Sequence, residues 1–349
     1  MPSVDVVIPC YRYRTLLPDA VRSVLDQERV DVRVLVIDDA SGDGSADVAR
    51  ELAASDPRVE AVVHGTNMGH VATFNEGILD WATAEYTLLI SADDMLSPGA
   101  LARATAVLDS HPKVGFVYGN ALRWNTEEPA PTYRTGAWSP VVHDGLGWLR
   151  GRFAAASNPV LSPTVVARTA LQQLVGGYDA RMLHTSDLEM WLKLALHGDV
   201  GYVSGVDQGL YRVHGSNMSS AYYDSDSGVR DFEMRLLAFS AVLDRGRDVL
   251  PDADELSRTV RRTLAKEALL RVNRGYDRGH ARTDPGDALV EFARRTDVDM
   301  THFLEWHALR VRQTIGARFA PVLQPLVLTA VARRMRQRRR QDRLTREGI

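Results

Sequence analysis

Tyr86-Thr87-Leu88-Leu89-Ile90-Ser91-Ala92-Asp93-Asp94 is an apolar, partly β-branched run that ends in two adjacent carboxylates. Its first five residues read as a buried strand. Paired carboxylates just past such a strand are costly unless something positive sits beside them. In an α/β sheet that place is the carboxyl edge, where ligands bind. Two readings compete for the pair. Asp93 and Asp94 hold a divalent metal and a nucleotide, or they form a solvated strand-to-helix turn and cap the helix beginning near Pro98.

The flanking sequence alternates. Strand patterns at Val4–Ile8, Val32–Ile37, Val59–Val63, Tyr86–Ile90 and Val114–Tyr118 are separated by helical patterns at Leu16–Leu25, Ala46–Ala54, Val71–Trp81 and Gly99–Leu108. Strands spaced by helices of this length imply parallel βαβ units with right-handed crossovers. Every strand then ends on one edge, and the polar clusters fall there. They are Pro9-Cys10-Tyr11, Asp38 to Ser45, His64 to His70, and Asp93-Asp94. Four converging acidic and Gly-rich loops suit a polar ligand with a metal. No Gly-x-Gly-x-x-Gly follows the first strand, and no Gly-Lys-Ser/Thr occurs there, which disfavours dinucleotide and Walker-type ATP sites.

The chain has 349 residues, 45% apolar and 25% charged, as expected of a globular protein with an ample core. Its formal charge is −3, with eight Arg against Asp342 and Glu347 in residues 333–349, so residues 1–332 carry −9. A mildly acidic body argues against nucleic-acid binding. The single Cys10 excludes an internal disulfide framework and suits a reducing compartment; it reads as a small buried hydrophobe. No signal peptide and no apolar run long enough to span a membrane is visible, so a cytoplasmic location is expected.

Four motifs occur in order: Val6-Val7-Ile8-Pro9-Cys10-Tyr11, then Val36-Ile37-Asp38-Asp39-Ala40-Ser41-x-Asp43-Gly44-Ser45, then Asn67-x-Gly69 with Asn75-x-Gly77-Ile78, then Ser91-Ala92-Asp93-Asp94. In order and spacing they resemble the family-2 glycosyltransferases of GT-A fold, over roughly the first two thirds of the chain. The resemblance implies an α/β, Rossmann-like, mostly parallel central sheet with an α-helical C-terminal extension. It implies a catalytic domain over 1–220, with a nucleotide-binding half at 1–120 and an acceptor-side half at 121–220, and a helical region over 221–349.

It also implies roles. Pro9 and Tyr11 would border the nucleobase, with the ring of Tyr11 as a stacking face; a packed core Tyr is the alternative. Asp39 would accept from the base, a uracil N3–H suiting an acceptor-only carboxylate. Asn67 would belong to the nucleotide site, Asp93 would touch the ribose, and Asp94 would ligate Mg²⁺ or Mn²⁺ on the donor diphosphate. Asp38 and Asp43 could instead shape the turn, the reading preferred for Asp43. Many members carry an Arg before the Asn of Asn75-x-Gly77; here Thr73-Phe74-Asn75 lacks it, so more of the diphosphate charge falls to the metal.

Further on, Thr126 to Ser139 reads as a loop. Trp124, Tyr133, Trp138 and Trp148 could line an acceptor cleft or anchor the core. An amphipathic helix runs from Leu188. By resemblance Asp187, at its start, is the general base, with Glu189 the second candidate and an N-cap the structural alternative. His214, in Tyr211-Arg212-Val213-His214, would be a metal or diphosphate ligand or a satisfied structural residue. Gly215 to Gly228 reads as a loop able to close over the donor. Helices are expected at Phe232–Leu243, Leu256–Val272, Ala288–Arg294, Phe303–Ile315 and Val322–Arg340. The last of these has a basic end that could rest on an anionic bilayer or stay solvated.

The implied reaction is an inverting, metal-dependent transfer from a nucleotide sugar (UDP first, GDP or dTDP as alternatives) to a hydroxyl on a glycan, lipid-linked sugar or natural product. An oligomeric contact through the helical region is open. The rivals are transfer to a polyprenyl phosphate, which needs no base, and a non-catalytic sugar-nucleotide-binding protein.

Overall fold

The computed structural model describes residues 1–215, 217, 228–277, 284–316 and 343–349. The first half follows the alternation: β1 Ser3–Cys10, α1 Leu17–Leu25, β2 Asp31–Asp38, α2 Ser45–Ser55, β3 Val59–Val63, α3 His70–Asn75, β4 Tyr86–Leu89, a short β5 Met95–Leu96, α4 Ala100–Ser110 and β6 Val114–Asn125. Strand β1 lies between β2 and β4, parallel to both, and β3 extends the parallel set beyond β2. Their carboxyl ends therefore share one edge. Along β1 the side chains alternate between two cores. Val4, Val6 and Ile8 pack with Leu17, Val21 and Leu101 on one face, and Val7 packs with Ile78 and Leu89 on the other. Burial on both faces explains the nearly unbroken apolar run.

The second half adds β7 Ser139–His143, α5 Gly145–Ala155, β8 Val166–Arg168, α6 Thr169–Leu174, α7 Ser186–His197 and β9 Asp199–Val213. The sheet order is β3-β2-β1-β4-β8-β6-β9-β5, with β7 on β9. Strand β8 enters antiparallel between β4 and β6, and β9 runs parallel to β6 through register shifts at Gly119 and Asn120. The C-terminal helices are α8 Val229–Gly246, α9 Ala253–Asp277, α10 Asp284–Arg295 and α11 Leu304–Ile315. They continue one apolar core with α5 and α7. Phe153 of α5 meets Phe239 of α8 edge-on, ring centroids 4.8 Å apart.

One expectation is corrected. Val71–Trp81 is not a single α-helix: after Asn75 the backbone widens into a π-turn over Glu76–Trp81. Gly77 there lies against β1, where a Cβ would fall 2.3 Å from Val7 Cγ1. Asn75 is tied on both sides to the Tyr178 backbone, accepting from its N at 2.6 Å and donating to its O at 2.8 Å. The close approach and the two bonds hold the turn open. The expected closing loop at 215–228 and the basic helix at 322–340 fall almost wholly outside the described residues. No described helix is long and apolar enough to cross a membrane.

Asp5 anchors the opposite end of β1. Its fully buried carboxylate accepts from Arg33 Nε at 2.8 Å and Nη2 at 2.7 Å, and from the amides of Thr83 at 2.7 Å and Ala84 at 2.8 Å. Asp5→Ala leaves these donors without their acceptor. Urea denaturation is expected to show a loss of about 2 kcal/mol; an unchanged midpoint would refute the anchoring role.

Candidate active site

The loops after β1 to β4 enclose a cavity of about 350 Å³ on the carboxyl edge. Pro9, Tyr11, Asp39, Asn67, Asp93, Asp94 and Asp187 all line it. His214 joins through Asp93, its Nε2 3.2 Å from Asp93 Oδ2. The structure thus brings all eight residues singled out in the sequence into one place. Tyr11 is 42% exposed, with the Arg12 guanidinium 5.0 Å from its ring centroid, so it is not a core Tyr.

Each turn is built locally. Asp38 accepts from Ser41 N at 3.1 Å, helping to hold Ala40 at φ 56°, in the left-handed region. Asp43 Oδ1 accepts from Ser45 N at 2.9 Å and Oγ at 2.6 Å at the start of α2, the turn-shaping role preferred for it. Asp39 Oδ1 accepts from Met68 N at 2.6 Å and faces His64 Nδ1 at 2.8 Å, while Oδ2 accepts from Gly69 N at 2.9 Å. One lone-pair direction on Oδ2 remains for a ligand. His64 also faces Glu76 at 2.8 Å through Nε2. Burial lowers its pKa, but the bonds to Asp39 and Glu76 together outweigh that and leave it above the usual imidazole value.

Asp93 and Asp94 do not cap α4, whose N-cap is Gly99. Burial raises the pKa of Asp93, but hydrogen bonds from His214, Ser91 and Tyr13 outweigh it and leave the carboxyl below its ordinary value. Asn217 Nδ2 donates to the same Oδ2 at 3.1 Å. Asp94 is the opposite case. Burial, then the charge of Asp93, push it well above the usual range, against the Arg212 amide that donates to its Oδ1 at 3.0 Å. A buried carboxylate destabilised by its neighbour is a site for a cation. Among the described residues no group of three or more His, Cys, Asp or Glu forms a closed metal cage. The set fits Mg²⁺ or Mn²⁺ held by one or two carboxylates, with ligand phosphates completing the shell. His214 faces Asp93 rather than Asp94.

Asp187 lies in the first turn of α7, after Thr185 as N-cap. It accepts from Asn158 Nδ2 at 2.8 Å and from Leu188 N at 2.7 Å, and burial lifts its pKa to about 6. Glu189, the other candidate base, is fully buried beside Lys193, Oε2 to Nζ 3.1 Å, and lines neither this cavity nor the next. Trp148 belongs to the core, and Trp124, Tyr133 and Trp138 line neither cavity. That second cavity, about 460 Å³, adjoins the first and shares with it His70, Phe74, Ser162, Asp187 and Tyr211.

Four further residues carry no motif in the sequence. Tyr13 donates to Asp93, Asn217 steadies the same carboxylate, and Asn158 orients Asp187. His70 lines both cavities. Burial, against a bond to the Leu183 carbonyl, keeps its pKa below the usual value, and its Nε2 has no hydrogen-bond partner among the described residues.

The Glycosyl transferase family 2 model matches residues 5–152. EpsE of Bacillus subtilis, named as a glycosyltransferase, is 24% identical over 224 residues, 61% of this chain and 73% of EpsE. The GalNAc(5)-diNAcBac-PP-undecaprenol beta-1,3-glucosyltransferase of Campylobacter jejuni is 30% identical over 123 residues, 35% of this chain and 39% of that protein. Among solved structures, S. aureus TarS in complex with UDP-GlcNAc superposes with a TM-score of 0.60 at 18% identity, covering 90% of this chain and 92% of that one. The mannosyltransferase PcManGT from Pyrobaculum calidifontis, in complex with GDP-Man and Mn²⁺, gives 0.52 at 16%, covering 92% and 86%. The fold is GT-A. The match to glycosyltransferase family 2 lies in residues 5–152, which carry the loops after β1 to β4.

Proposed function

We propose that this protein transfers a sugar from a nucleoside diphosphate bound in the first cavity to an acceptor hydroxyl presented from the second, with inversion at the anomeric carbon. The observation that carries the reading is the position of Asp187. One carboxylate, with its pKa lifted to about 6, stands in the wall common to both cavities.

Asp187 takes the proton of the acceptor hydroxyl as its oxygen bonds to the anomeric carbon, and the bond from that carbon to the diphosphate oxygen breaks on the opposite face. Tyr11 offers its exposed ring to the base, and the remaining lone pair of Asp39 suits a uracil N3–H. Asp93, fixed by Tyr13, His214 and Asn217 and held below the usual carboxyl range, would accept from the ribose hydroxyls. Asp94, with His214 nearby through Asp93, would hold the divalent ion. When bound, that ion supplies Lewis-acid neutralisation of the leaving diphosphate.

Thermal shift with UDP, GDP and dTDP sugars, with and without Mn²⁺, tests the reading. UDP sugars are expected to stabilise most and only weakly without the ion; no response to any nucleotide would sink it. Asn158→Leu is a finer check. It removes a donor that lowers the Asp187 pKa, so the acid limb of the pH–rate profile moves above pH 6. An unmoved limb would remove Asn158 from the site.

A further inference from the structure

The second cavity has a charge pattern of its own. Its wall includes Arg123 from β6, His184 ahead of α7, Asp231 and Arg235 from α8, and Glu267 and Arg271 from α9. Arg235 engages both acids, with Nη2 3.0 Å from Asp231 and Nη1 3.0 Å from Glu267. Asp231 also faces His184 at 3.4 Å. Arg123 and Arg271 are the cations left over: among the described residues neither has a carboxylate at ion-pair distance. The Arg123 guanidinium sits 5.3 Å from the ring centroid of Tyr211, which lines both cavities. Arg271 packs its guanidinium on Gly228 at the head of α8, where a Cβ would fall 2.3 Å from its Nη1. Both cations are therefore steadied by uncharged neighbours and keep their hydrogen-bonding edges.

We propose that the second cavity takes an acceptor bearing a phosphate or carboxylate, which Arg123 and Arg271 hold while its hydroxyl meets Asp187. The proposal rests on the glycosyltransferase reading above and adds the chemical class of the acceptor. A guanidinium presents paired N–H donors that match either anion two at a time. Two such cations also offset the repulsion an anionic acceptor would meet from Asp187, and they raise its local concentration at the cavity mouth.

The test uses the full chain with UDP and Mn²⁺ present, titrated by calorimetry with methyl glucopyranoside, its 6-phosphate and methyl glucuronoside. The two anionic probes are expected to bind about tenfold tighter than the neutral one at low salt, and the preference should shrink as salt is raised. Arg123→Gln with Arg271→Gln should bring the three probes together while UDP affinity stays within about twofold. Exposed Arg123→Gln alone, which leaves the fold untouched, should remove part of the preference. Equal binding of all three probes by the wild type, or an undiminished preference in the variants, overturns the proposal. Failure of the wild type to bind UDP is a separate result: it removes the donor reading, and the same ranking without UDP still decides the second cavity. Dodecyl phosphate against methyl phosphate separates the sources. Tighter binding of the former assigns a lipid-linked anion, and equal binding a water-soluble one.

Discussion

Asp187→Asn is expected to lower turnover by about 10³-fold while the dissociation constant for the nucleotide stays unchanged. Asparagine keeps the shape and the bond to Asn158 but cannot take a proton. The carboxyl is half-buried at the junction of the cavities with its pKa at about 6, so in the wild type the ionised base accumulates as pH rises through that value. The kcat profile should have an acid limb there, absent from the residual activity of the variant. Stability gives the independent reading. The folded pKa is raised above the unfolded one, so ionising Asp187 weakens the fold progressively as pH climbs from the ordinary carboxyl range through about 6. Asp187→Asn should therefore melt at or above the wild-type temperature near pH 8, and the gain should vanish near pH 4. A variant that is folded, stable and inactive identifies a functional carboxylate. Full activity would instead favour a phosphate acceptor that needs no base.

The residues legible in the sequence share a physical reason. Tyr11, Asp39 and Asp93-Asp94 each follow a strand buried on both faces, Asn67 follows the edge strand β3, and parallel βαβ order brings all four strand ends together. Strand β9 was hidden because Gly201, Gly205 and Gly209 interrupt it with Asp207 and Gln208 between, and neither alternation nor an apolar run survives. Its polar residues are paid for by distant partners: buried Asp207 takes Arg134 and Asn120 at 2.6 and 2.7 Å. Strand β8, three residues long, is too short for any periodicity. Asn158, Tyr13 and His70 were illegible for a related cause, since each acts through one contact distant in sequence that no periodicity encodes: Asn158 on Asp187, Tyr13 on Asp93 and His70 on the Leu183 carbonyl.

Asp94→Asn is expected to abolish the divalent-ion dependence of nucleotide binding and to cut kcat/KM by about 10³-fold. The argument starts from a conflict. Asp94 is 3% exposed, next to an ionised Asp93, and its carboxyl sits well above the usual range because burial and that neighbour both oppose its charge. The Arg212 amide at 3.0 Å is a single neutral donor and does not resolve the conflict. A divalent ion does, and the carboxylate then binds it at the expense of a proton, so affinity for the ion should rise with pH and ion binding should release protons. Asparagine removes the conflict along with the charge. The variant is expected to be at least as stable as the wild type without added ions, to show no further stabilisation by Mn²⁺ with UDP, and to keep a weak, ion-independent affinity for UDP through Tyr11 and Asp39. Calorimetry in two buffers of different ionisation enthalpy reads the proton release directly. Equal ion-dependent tightening of UDP in wild type and variant would move the ion away from Asp94, leaving Asp93 and His214, 3.2 Å apart, as the pair to test next.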